Sequence, residues 1–152
     1  MDKSLLKLPL AAMIGGLLCA SPAFAQLLPP APKAASVAIA QQPNLEIAYD
    51  DIAVIRWSTN NPGGSDEHFG IVHYGKTVDA LTQTAQSHIR LNRGHSDTMF
   101  RVRLDHLDPQ TTYYYKVTSM GGDGTSDGVE SDVNQFTTPP PGKRIVNYPQ
   151  PR

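Results

Sequence analysis

Cysteine is almost missing from this sequence. Cys19 is the one example in 152 residues, so no disulfide can staple the fold. An excess of charge of either sign is missing too: 13 Lys and Arg stand against 14 Asp and Glu. That balance excludes the basic stripe with which a nucleic-acid partner's phosphates are neutralised, and it gives no attraction to an anionic membrane surface. No apolar run approaches the ~20 residues of a bilayer span. Leu8 to Leu18 is shorter and diluted by alanine and by Gly15 and Gly16. No cysteine nucleophile remains beyond position 19. Helical periodicity never persists beyond two turns, which leaves strands as the source of the core.

What is present begins with an export signal. Lys3 and Lys7 charge the start, the apolar run follows, and Ala23-Phe24-Ala25 offers a small-x-small cleavage site. Leu18 stands before Cys19, where lipoprotein signals resemble one another in having a small residue, so lipidation is not expected. Residues 1–25 are therefore read as a signal peptide, and the mature chain is expected to start at Gln26 and to be secreted or periplasmic, with no membrane insertion after cleavage. It retains no cysteine and must hold itself together by its core alone, even in an oxidising compartment. Its 127 residues carry 11 basic and 13 acidic side chains, a length that fits one domain of roughly 100 residues.

Residues 26–42 are rich in proline and alanine and read as an extended linker, to which Val37–Ala40 adds at most a strand edge. Pro139-Pro140-Pro141-Gly142 stops the last strand, since proline cannot donate to a ladder, and 139–152 reads as a Pro-rich tail. Between these flanks, residues 43–138 show short runs of period two separated by turn residues. Ala53, Ile55 and Trp57 share one face of a strand. Val72 and Tyr74 point inward on the next, as do Phe100, Val102 and Leu104, and then Tyr113, Tyr115 and Val117. A first strand is expected near Leu45–Ile47 and a closing one at Val133–Thr138. Thr77–His88 reads as a loop or short edge strand, and Gly121–Gly128 as a mobile hairpin connection.

Leu107-Asp108-Pro109-Gln110-Thr111-Thr112-Tyr113 adds the turn that makes this pattern a sandwich, because the tyrosine stands where a corner tyrosine opens a strand. The L-x-P-x-T-x-Y pattern resembles the corner of fibronectin type III domains, as does a tryptophan on the second strand. It is similar also to the non-catalytic N-terminal sandwich domain of purple acid phosphatases, and the V-x-Y-G ending of the third strand, Val72 to Gly75, looks like both families. The resemblance implies an all-β, seven-stranded immunoglobulin-like β-sandwich over residues 43–138.

The phosphatase resemblance carries no catalysis with it. A dinuclear site needs aspartates, histidines and an asparagine holding two metals about 3.5–4 Å apart. The family's G-D-x-G, G-N-H-E and G-H-x-H blocks are absent: Gly122-Asp123-Gly124-Thr125 and Gly94-His95-Ser96-Asp97 each fail at the last residue. His68 and His73, five apart on one strand, point to opposite faces about 17 Å apart and cannot share an ion. His88, His95 and His106 have no partner that spacing identifies. Gly121–Gly128 resembles a single unit of a calcium-binding repeat whose copies work by stacking, and there is no second copy. No cofactor, metal or catalytic residue is expected. The remaining candidate is the outward face of the third and sixth strands, where Phe69, Ile71, His73, Tyr114 and Lys116 form an amphipathic aromatic patch suited to a protein or a glycan. The expected role is an exported binding or spacer module. The alternative is an acid phosphatase or metal-binding association through the family, without its catalytic residues.

Overall fold

The computed structural model describes residues 32–147. The expected signal segment, residues 26–31 of the linker and residues 148–152 lie outside the described residues. Among the described residues nine strands run in the order β1 (Ile39–Ala48), β2 (Ala53–Asn60), β3 (Glu67–Gly75), β4 (Gln83–Arg90), β5 (Asp97–Leu104), β6 (Thr112–Gly121), β7 (Ser126–Glu130), β8 (Asn134–Thr137) and β9 (Ile145–Val146). They form two antiparallel sheets, β5-β2-β1-β9 and β4-β3-β6-β7, with β8 taking over from β7 along β6.

Alternation of side chains closes the sandwich. Ala53, Ile55 and Trp57 of β2 and Phe100, Val102 and Leu104 of β5 are fully buried; from the other sheet Val72, Tyr74, Tyr113, Tyr115 and Val117 meet them. Trp57 stacks on Phe100 at 5.1 Å between centroids. Gly70 of β3 lies against this pair, and a Cβ there would stand 2.8 Å from Phe100 Cδ1 and 2.9 Å from Trp57 Cη2. Glycine in mid-strand is thus the condition for the tryptophan to fit.

The corner behaves as its residues dictate. Asp108 donates its backbone N–H to Tyr113 Oη at 2.9 Å, and Thr138 Oγ1 donates to Asp108 O at 2.6 Å while accepting from Thr111 N. His106 and Gln110 turn the chain in the left-handed region (φ 59° and 50°) on either side of it. Lys76 at the end of β3 hydrogen-bonds the Asp108 carboxylate, which holds that carboxyl below its ordinary range.

Tyr115, one of the buried ring set, has its phenol pushed up to about 12 by desolvation. In the folded state the neutral phenol is favoured, so this stabilising contribution is complete below pH 10 and is lost as pH rises towards 12. Thermal melts between pH 8 and pH 11.5 should show a loss of stability above pH 10 that is smaller in Tyr115→Phe. An identical alkaline loss in that variant would contradict the assignment.

The strand count and four boundaries differ from expectation. β1 starts at Ile39 rather than near Leu45, taking the end of the expected linker into the sheet. Its register shifts at three places, which breaks the period-two signal. β4 is a full eight-residue edge strand whose outward face is polar and whose inward face packs only Ala85 and Ile89 against the core. The Gly-rich stretch is a tight turn at Gly121–Thr125 followed by a strand, β7, in which Gly128 adopts φ 74°. β9 lies inside the expected tail and pairs Val146 and Ile145 with Ile47 and Ala48.

Candidate functional site

All five expected binding residues lie on the outward side of the second sheet. Register sets them out as a ladder across β3 and β6: Phe69 opposite Met120, Ile71 opposite Thr118, His73 opposite Lys116, and Gly75 opposite Tyr114. Successive rungs are two residues apart, so Phe69 and Tyr114 stand about 20 Å from each other along the strip. The structure therefore does not bring the two aromatics into one cluster. It places them at opposite ends of a band whose middle is Ile71, His73 and Lys116.

Each end has its own chemistry. Phe69 packs its ring 5.4 Å from His88 of β4, with Met120 across from it on β6. Tyr114 lies beside Gly75, whose missing side chain lets the turn after β3 cross close by: a Cβ there would stand 2.0 Å from Ala80 O. In the middle, His73 Nε2 is 3.1 Å from Thr118 Oγ1, and Lys116 Nζ donates to Glu130 Oε1 at 2.9 Å. All five side chains are half-buried by their neighbours in the sheet rather than freely exposed.

A second constellation was not legible in the sequence. At the end of the sandwich where β3 and β7 begin, Ser119 Oγ donates to Asp127 Oδ2 at 2.8 Å, and His68 Nε2 approaches Asp127 Oδ1 at 3.3 Å without hydrogen-bond geometry. His68 and Asp127 are fully enclosed. Residues 32–38 are strapped across this end. Ala34 N donates to Pro62 O, and Asn60 uses its amide to bond Ala38 N and Ser36 O. Lys33 follows the strap to within 3.8 Å of Asp127. Serine, aspartate and histidine meet here in an order that cannot make a nucleophile, because the serine proton points at the carboxylate rather than at the imidazole. The cluster is a structural one. The signal that would have revealed it is the alternation of β7, hidden by its glycine.

Elsewhere, a cleft of about 330 Å³ between the start of β1 and β7 gathers none of the expected binding residues. Among the described residues no group of three or more His, Cys, Asp or Glu is placed to hold a metal ion, and no helix is long and apolar enough to cross a membrane.

Residues 40–138, well over half of the chain, match the family model of the purple acid phosphatase N-terminal domain. The chain belongs to that family. The match is to the N-terminal domain alone, a non-catalytic sandwich of the fibronectin type III kind, and it spans β1 from its second residue through β8. No curated protein matches. Solved structures similar to this family member include the sensor domain of the anti-sigma factor RsgI4 from Pseudobacteroides cellulosolvens, with 16% identity and a TM-score of 0.46 over 74% of this chain and 97% of that one. The fibronectin type III domain of human contactin 1 is similar at 13% identity and a TM-score of 0.45, over 85% and 97% of the two chains. The sixth such domain of human fibronectin type III domain containing protein 3 follows at 19% and 0.42, over 70% and 88%.

Proposed function

We propose that this domain is an exported, non-catalytic binding module that holds an extended ligand along the outward strip of β3 and β6. The observation that carries this reading is the ladder itself, in which an aromatic residue marks each end and Ile71, His73 and Lys116 lie between them on one face. A strip about 20 Å long fits an extended segment of roughly six residues, with Phe69 and Tyr114 as amphipathic anchors at its ends. The mixture of an isoleucine, a methionine and a Lys116–Glu130 ion pair suits a protein segment; a glycan is the other ligand that aromatic platforms accept. Export rests on Lys3 and Lys7, the apolar run and Ala23-Phe24-Ala25. The family name points to an enzyme, but no catalytic block of it is present in this chain.

The double variant Phe69→Ser/Tyr114→Ser tests the reading. Both side chains are half-buried on the outer face, so the melting midpoint should move by only a few degrees while capture of the ligand from culture supernatant or envelope extract, or on a carbohydrate array, falls at least tenfold, a loss of about 1.4 kcal/mol. Unchanged capture in a folded double variant would remove the strip from consideration.

A further inference from the structure

Arg56 points to the outward side of β2, the central strand of the other sheet, yet only 7% of its surface is exposed. Its Nε is enclosed and has no hydrogen-bond partner, and no ion pair or hydrogen bond among the described residues reaches its guanidinium. Register places Arg101 of β5 directly opposite on one side and Asn44 of β1 on the other, so neither cross-strand neighbour offers it a carboxylate. The other cations of this face are already neutralised. Arg101 donates Nε and Nη2 to the two oxygens of Glu46 at 2.7 and 3.0 Å, and Arg103 donates Nε to Asp105 at 2.6 Å. Of the three outward arginines of β2 and β5, Arg56 alone has no carboxylate partner among the described residues. Ser58, the next outward residue of β2, is also buried, so the side chains of β1 and β5 cover this stretch of the central strand.

We propose that this outward stretch of β2 is a carboxylate-binding site centred on Arg56. An enclosed cation without a partner is costly to maintain and gains most from an anion that shares its desolvated surroundings. A planar, singly charged carboxylate matches the fork of one guanidinium with two parallel hydrogen bonds, as Glu46 already does on Arg101 next door. A phosphate dianion would call for a second free cation, and both neighbouring arginines are occupied. The site lies on the opposite sheet from the β3–β6 strip and does not depend on it.

The enclosed Nε–H of Arg56 makes the test direct. In the ¹⁵N-labelled full chain, the side-chain Nε–H signal that disappears in Arg56→Lys belongs to this residue. Sodium acetate, titrated against sodium chloride at constant ionic strength, should displace that signal saturably and leave those of Arg101 and Arg103 nearly unmoved. It should also raise the melting midpoint by several degrees at saturation. N-acetylglycine and glucuronate, run in parallel, separate a peptide-type carboxylate from a sugar acid. Arg56→Met should melt higher than the parent without acetate, because an enclosed cation without a partner is gone, and should lose the acetate response. Phe69→Ser/Tyr114→Ser should keep it. Equal displacement by acetate and chloride would overturn the site, as would an unaltered acetate response in Arg56→Met. Stronger displacement by phosphate than by any carboxylate would overturn the ligand class. Should Arg56→Met fail to fold, the titration of the parent protein decides.

Discussion

Trp57→Ala should lower the melting midpoint by roughly 20 °C, corresponding to a loss of about 3–5 kcal/mol in a domain of this size. The indole is fully buried, stacks on Phe100, and fills the space that Gly70 leaves open from the facing sheet. Its removal leaves a cavity bounded by two rigid sheets that cannot collapse into it, which places the cost at the upper end of the range for large-to-small changes. The indole N–H makes no hydrogen bond, so Trp57→Phe sacrifices volume but no polar contact and should cost less than half as much. Thermal melts of the two variants check the expectation. Equal losses would mean that the nitrogen, rather than packing, holds the ring.

Asp127→Ala should be the most damaging polar change, costing about 3 kcal/mol or more, read as a fall of roughly 15 °C in the melting midpoint. The carboxylate accepts from Ser119 and lies within ion-pair reach of His68 and Lys33, so its loss strands a buried hydroxyl and takes the nearby acid from an enclosed imidazole. The asymmetry between breaking a polar cluster and replacing it whole supplies the control. His68→Leu/Ser119→Ala/Asp127→Ala should recover part of the stability that Asp127→Ala alone loses, because no orphaned group remains. A triple variant less stable than the single one by the sum of three independent effects would show that these residues do not act as a unit.

Much of the sandwich was legible because its central strands obey period two without interruption. Val54 and Arg56 alternate with Ile55 and Trp57, Arg101 and Arg103 with Val102 and Leu104, and the corner tyrosine bonds back to Asp108 as its spacing implied. The edges were less legible for a physical reason: an edge strand buries one face poorly and carries bulges or polar residues that protect it from pairing. β1 hides its first half behind Pro43 and three register shifts, β7 behind Gly128, and β4 behind an inward face in which Ser87 separates Ala85 from Ile89. The candidate strip was foreseeable residue by residue, since outward parity follows from inward parity. Its length was not, because the separation of Phe69 and Tyr114 depends on the register between β3 and β6, which no local pattern encodes. Arg56 falls on the outward face by parity with the inward Ile55 and Trp57. That it is enclosed there without a partner depends on Glu46 being swung to Arg101 at a β1 bulge.

The strip is tested most directly by a photo-crosslinking residue, p-benzoylphenylalanine, placed at Ile71 in the full chain and irradiated in its native envelope or supernatant. The account predicts one discrete adduct from position 71, lost when Phe69→Ser/Tyr114→Ser is added and absent when the photoprobe instead replaces Met99, an exposed residue of the other sheet. The same adduct from position 99, or an adduct at position 71 that survives the double substitution, would contradict it.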